Sequence, residues 1–266
     1  MASSPALTVM IAAVRKAARG VQRDFGELQN LQVSVKGPGD YVTAADKRCE
    51  KVLREELAKA RPTYGFLMEE SGEEKGSDPD HRFIADPIDG TTNFMRAIPY
   101  FAISVALERK GELIAAVTYN PISDELFHGE KGQGAFLNNK RLRVGARTDL
   151  TEAVVCTGIP HRGRPGHAEN RAEIAALQAK SIGIRRFGSA ALELGYVAAG
   201  RLDAFWERGL APWDVAAGML FVREASGVCT TIEGDGDPLH AKSIVAANAD
   251  IMVQIKKELA AAARSV

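Results

Sequence analysis

The chain has 266 residues in which 34 Lys and Arg balance 34 Asp and Glu, so no net field recruits nucleic acid or an anionic membrane. A composition that is 45% hydrophobic and 26% charged is that of an ordinary soluble globular protein, long enough for one large domain or two closely packed halves. Cys49, Cys156 and Cys229 stand far apart with no Cys-x-x-Cys, which argues against a zinc knuckle or a redox pair and fits small buried hydrophobes in a reducing cytoplasm.

Leu7, Met10, Ile11, Val14, Ala18, Val21 and Phe25 fall at helical spacing, interrupted by Arg15, Lys16 and Arg19. That is an amphipathic helix rather than a cleaved leader, and no run reaches the roughly 20 apolar residues of a membrane span. Thr43-Ala44-Ala45-Asp46 has the capping-box form and opens a second helix with Ala45, Cys49, Val52, Leu53 and Leu57 on one face, ended by Pro62. Residues 64–67 and 82–85 read as short strands that run directly into acidic residues. Residues 101–107 and 112–119 form a hairpin around Lys110-Gly111, and Gly129, Gly132, Gly134 and Gly145 punctuate further antiparallel strands.

After about residue 150 strands and helices alternate: strands at 153–157, 182–187, 203–207 and 243–247, helices at 168–179, 190–199, 213–225 and 249–263. The pattern divides the chain into an N-terminal α+β half, 1–148, and a C-terminal α/β half, 149–266, with the active site between them. Arg162, Arg164, Arg185 and Arg186 are local basic spots, and His161 and His167 flank an exposed loop.

Four acidic places bear on chemistry: Asp46, Glu69-Glu70, Asp86 with Asp89, and Asp214. Each has an ordinary structural reading. Asp46 completes a capping box, Asp214 caps the helix beginning near Trp213, and paired glutamates before Ser71-Gly72 form a solvated loop, as do Glu73-Glu74. Asp86-Pro87-Ile88-Asp89-Gly90-Thr91-Thr92-Asn93 is more informative. A strand delivers Asp86, a turn brings Asp89 to the same cation, and Gly90 with the helix start at Thr91 lets backbone N–H groups meet a phosphate. Four carboxylates in one cleft would repel by several kcal/mol per pair at about 4 Å, a repulsion that two divalent cations cancel. No Walker A loop, Gly-x-Ser-x-Gly elbow or His-Glu-x-x-His offers a competing chemistry.

Asp40-Tyr41-Val42-Thr43 with Asp46, Glu69-Glu70-Ser71, Asp86 through Phe94, Gly188-Ser189-Ala190-Ala191 and Trp213-Asp214-Val215-Ala216-Ala217-Gly218 together resemble the inositol monophosphatase family, and closely its bacterial SuhB-like members. The resemblance implies a layered αβαβα sandwich of the carbohydrate-phosphatase type and a cytoplasmic homodimer. It implies magnesium-dependent hydrolysis of myo-inositol monophosphate by a directly attacking water. One magnesium would lie on Glu69, Asp86 and the Ile88 carbonyl, a second on Asp86, Asp89 and Asp214, and a third, weaker one near Glu69. Thr91 with Glu69 would orient the water, supported by Asp46, and Gly90 and Thr91 would hold phosphate oxygens. Asp89, Ser189, Ala190 and Glu207 would contact the polyol. Lithium inhibition is common in the family. Met68, where relatives often carry a small residue, is a departure. Sibling phosphatases of fructose bisphosphate, histidinol phosphate or adenosine bisphosphates share this core. SuhB-like relatives also associate with RNA polymerase and antitermination complexes.

Overall fold

The computed structural model describes residues 4–27, 33–37 and 40–264. Ser4 opens α1 (Pro5–Gly26) by accepting the Leu7 N–H on its hydroxyl at 3.1 Å. A hairpin of β1 (Val33–Gly37) and β2 (Asp40–Thr43) leads into α2 (Ala44–Ala60). There the Thr43 hydroxyl accepts from Ala45 N–H and Asp46 N–H, while Asp46 Oδ2 accepts the Thr43 N–H at 2.9 Å, a complete capping box.

Eight strands then form one sheet: β3 (Gly65–Met68), β4 (Gly72–Glu74), β5 (His81–Asp89), β6 (Ala102–Arg109), β7 (Glu112–Asn120), β8 (Glu125–Glu130), β9 (Gly134–Leu137) and β10 (Lys140–Arg141), in the order β10-β9-β8-β7-β6-β5-β3-β4. Only the β3–β5 pair is parallel. The short α3 (Thr91–Met95) follows β5. The second sheet is built from β11 (Val154–Thr157), β12 (Gly183–Arg185), β13 (Ala204–Arg208), β14 (Val228–Thr230) and β15 (Ser243–Ala247), ordered β12-β11-β13-β15-β14. Around it lie α4 (His167–Gln178), α5 (Ala190–Ala198), α6 (Pro212–Glu224) and α7 (Ala249–Ala263).

Side-chain alternation sets the layers. On β6, Ile103, Val105 and Leu107 face the core under α1 and α2, whereas Ala102 and Ala106 face α5 and α6. Small residues on that second face let the two buried helices approach the sheet closely. The other side of the helix pair covers Cys156, Phe205, Ile244 and Ala246 of the second sheet. The far face of that sheet packs Val155, Trp206 and Val245 against Leu177 of α4 and Ile251, Ile255 and Leu259 of α7. The order is helix, sheet, helix, sheet, helix, the expected sandwich. No helix among the described residues is long and apolar enough to cross a membrane. All three cysteines are buried and unpaired.

Several local expectations change. β5 does not stop before a turn at Asp86 but continues through Asp89. Glu73 and Glu74 are not a loop: they belong to the exposed edge strand β4, where Arg54 Nε donates to Glu74 at 2.9 Å. The strand at 182–187 shrinks to three residues because the N–H groups of Phe187 and Gly188 turn to the Glu193 carboxylate. Strand–helix alternation fails at one place, where β14 is followed by β15 with only the 3-10 turn Pro238–His240 between them, and β15 pairs antiparallel with both β13 and β14.

In the middle layer α5 and α6 approach closely at Gly218, where an added Cβ would lie 2.4 Å from Leu194 Cβ. Gly218→Ala therefore overpacks this layer and is expected to cost about 1–3 kcal/mol, read as a lowered midpoint in thermal unfolding.

Candidate active site

The register of β5 against β6 organises the site. Asp86 pairs with Ser104 and Asp89 with Ala102, so three steps on β5 oppose two on β6. Residues an odd number apart on a regular strand face opposite sides. The extra residue of this bulge returns Asp89 to the side that already carries Asp86 and Ile84, the side facing α6. The bulge is held from within by Ile88 N–H on Asp86 Oδ1 at 2.9 Å and from α2 by the Cys49 thiol on the Pro87 carbonyl at 3.2 Å. Gly90 then adopts φ of +95°, and a side chain there would meet the Gly188 carbonyl at 3.0 Å.

Asp214 arrives across the layer from the first turn of α6. Its Oδ2 accepts the Ala211 N–H at 2.7 Å, so it caps the helix and still lies in the site. One oxygen each from Asp86, Asp89 and Asp214 falls within 4.8 Å of the others. Glu69, after β3, lines the same cleft beside Asp86. Its neighbour Glu70 is anchored by an N–H donated to Glu50 on α2 at 2.9 Å. The Thr91 hydroxyl is shared between Asp46 Oδ1 at 3.3 Å and the Ile88 carbonyl at 3.1 Å. Asp46 thus serves both its capping box and Thr91.

The opposite wall is the segment between β12 and α5. Ser189 Oγ and Ala191 N–H donate to Asp89 Oδ2 at 2.6 and 2.7 Å. Asn93 of α3 crosses back, donating to the Tyr100 carbonyl at 2.8 Å and the Phe187 carbonyl at 2.7 Å. Glu193 closes the segment from behind, accepting Phe187 N–H at 2.7 Å and Gly188 N–H at 2.9 Å. The enclosed cleft has a volume of about 750 Å3 and is also lined by Gly90, Ala190 and Glu207, with Arg164, Arg186 and Lys242 among the residues of its wall.

Removal from water is the largest influence on Asp46, Asp86, Asp89, Glu207 and Asp214. It pushes Asp86 well above the usual carboxylate range, and the charges of Glu69, Asp89 and Asp214 push it further. Asp214 is raised to about 8 by burial and then by Asp89, with the Ala211 N–H and Arg164 acting in the opposite sense. Asp89 is raised only to about 6, because the Ser189 hydroxyl and Ala191 N–H favour its charged form. Asp46 is raised to about 6, and Glu207 stands well above the normal range through burial and then Glu193, Asp214 and Asp89. Carboxyl groups that burial and, for Asp86 and Asp214, the charges of their neighbours drive towards protonation form an oxygen-only donor set. That set fits a hard divalent cation.

Glu69, Asp86, Ile88, Asp89, Gly90, Thr91, Ser189, Ala190, Glu207 and Asp214 all line this one cleft, and Asp46 reaches it through Thr91. Glu69 lies outside the three-oxygen cluster. Sequence reasoning passed over Asn93 as a cross-brace, Glu50 and Glu193. The signal for Glu193 was present: it is the single charge in an otherwise apolar helix.

Folded-state pKa values above the unfolded ones mean that the fold binds extra protons, so stability is greatest near the unfolded carboxylate pKa and falls as pH rises towards 8. In chelator-treated protein the unfolding midpoint should drop between pH 5 and 8.5. Asp214→Asn should make that slope shallower, and a saturating divalent cation should restore the midpoint at high pH. A scanning-calorimetry series over pH checks all three.

The profile of the Inositol monophosphatase family matches residues 3–266. An inositol-1-monophosphatase of Rhizobium meliloti (strain 1021) is 58% identical over 97% of this chain and 97% of its own length. The Nus factor SuhB of Escherichia coli (strain K12) is 41% identical over 92% and 91% of the two chains. The crystal structure of extragenic suppressor protein suhB from Bartonella henselae superposes with a TM-score of 0.94 at 54% identity, covering 96% of this chain and 98% of that one. With its acidic bulge, its capping Asp214 and this full-length likeness, the chain belongs to the inositol monophosphatase family.

Proposed function

We propose that this protein hydrolyses a phosphate monoester of a small polyol, with myo-inositol 1-phosphate as the leading substrate and magnesium as the metal. The carrying observation is the convergence of Asp86, Asp89 and Asp214, with Glu69 beside them, in a cleft large enough for a phosphorylated polyol. Relatives named inositol-1-monophosphatase at 53–58% identity support the substrate.

In this reading Glu69, Asp86 and the Ile88 carbonyl hold one cation, Asp86, Asp89 and Asp214 hold a second, and a third, weaker place lies near Glu69. Bound cations would supply Lewis-acid stabilisation of phosphoryl charge and a lower pKa for the attacking water. The chain's own groups do the rest. Thr91 has one hydroxyl proton and commits it to Asp46 and the Ile88 carbonyl, so its lone pairs face the cleft as acceptors. A water donating one proton to Thr91 and the other to Glu69 keeps both lone pairs directed away from them, so that one can be turned towards phosphorus. Backbone N–H groups of Gly90 and Thr91 take phosphate oxygens, and Ser189, Ala190, Glu207 and Asp89 hold the polyol hydroxyls. A cytoplasmic homodimer inhibited by lithium belongs to the same reading.

Phosphate release from inositol 1-phosphate is the direct test. Magnesium-dependent turnover should fall to background with EDTA and by about 100-fold or more in Asp89→Asn. No turnover on inositol 1-phosphate, with turnover on fructose bisphosphate, histidinol phosphate or an adenosine bisphosphate, would transfer the site to a sibling reaction.

Relatives named Nus factor SuhB favour a second reading, in which the folded chain also associates with RNA polymerase or antitermination complexes. Co-purification with polymerase should then persist in Asp89→Asn. Loss of both functions together would show that one surface serves both.

A further inference from the structure

Glu193 is the one charged residue of α5, and it points into the molecule at 1% exposure. Carboxylates are almost never buried so completely without a partner that fixes them. Among the described residues no cation forms an ion pair with it. Its Oε1 instead accepts two consecutive backbone N–H groups, Phe187 at 2.7 Å and Gly188 at 2.9 Å, while Oε2 is buried without a well-formed hydrogen bond. The Cys156 thiol and the Tyr100 hydroxyl lie beside it, and its charge pushes both of their pKa values upward after burial has done so. The Tyr100 hydroxyl is likewise buried and unpartnered.

The clamped segment is the one that reaches Asp89. Directly after Gly188, Ser189 Oγ and Ala191 N–H converge on Asp89 Oδ2, and neither bond uses Oδ1. The Phe187 carbonyl, on the other side of the clamped peptide, accepts Asn93 from α3, directly after the acidic motif. The Gly188 carbonyl faces Gly90 at a distance that leaves no room for a Cβ. A shift of this segment by a few tenths of an ångström would therefore move the donors on Asp89, the brace on α3 and the wall beside Gly90 together.

We propose that Glu193 is a positioning residue for the phosphatase site: by clamping the Phe187 and Gly188 amides it holds Ser189 and Ala191 on one oxygen of Asp89 and so presents the other oxygen to the cation and substrate. The proposal rests on the reading of the cleft given above. It assigns Glu193 no contact with the substrate. A carbonyl oxygen can accept both amides as a carboxylate does, so Glu193→Gln retains the clamp, whereas Glu193→Leu fills similar space without an acceptor.

The test compares wild type, Glu193→Gln, Glu193→Leu and, as a stability control, Val197→Ala from the same buried helix. Magnesium binding is measured by calorimetric titration, KM and kcat on inositol 1-phosphate by phosphate release, and folding by thermal unfolding. Glu193→Leu is expected to weaken magnesium binding by about 10-fold or more, as loss of a group orienting a metal ligand does, and to raise KM. Glu193→Gln should remain within about threefold of wild type in both. Val197→Ala should lose stability with unchanged magnesium affinity. If Glu193→Leu, compared at a temperature where it is folded, binds magnesium and substrate as the Val197→Ala control does, Glu193 is structural only and the proposal is overturned. If wild type itself binds no magnesium and releases no phosphate, the reading of the cleft fails instead.

Discussion

A single extra residue in β5 makes the site possible. Without it Asp86 and Asp89 would point to opposite faces of the sheet, one into the apolar core beneath α1 and α2. With it, both carboxylates share the face opposite α6, where Asp214 meets them. The cost is electrostatic: like charges a few ångströms apart repel by roughly 4 kcal/mol per pair at an intermediate dielectric. The fold tolerates this because three apolar cores hold its layers together, and because protons or cations can relieve it.

Several site residues satisfy a structural demand and a chemical one with the same atoms. Asp46 completes the capping box of α2 and holds Thr91. Asp214 caps α6 through one oxygen and takes part in the carboxylate cluster. Asp89 accepts two bonds on one oxygen and leaves the other towards its neighbours. Such double use means that capping a helix does not withdraw a carboxylate from the cleft. A helix start offers a carboxylate a fixed direction, and fixed direction is what a metal ligand needs.

The sequence made much of this legible. Helical periodicity located α1 and α2, and the density of carboxylates around Asp86 marked the site before any packing was known. Three things were hidden. The bulge was read as a turn, because Asp-Pro and Asp-Gly are turn signals and register exists only once β6 is in place. The hairpin of β1 and β2 and the three-residue β14 carry too few residues for a period to show. Glu193 was hidden in plain view, since its meaning depends on where the Phe187 and Gly188 amides turn in space.

The residues lining the cleft come from both sheets, from Glu69 after β3 to Asp214 at the start of α6, so no short stretch of chain contains the site. Its loop-closure entropy must be met by the whole fold before any ligand can be gripped. The cleft therefore acts as a reporter of global assembly: partial opening of either sheet dissolves it. Conversely, whatever binds across it ties two sheets into a single cooperative unit and slows exchange of backbone amides far from the ligand.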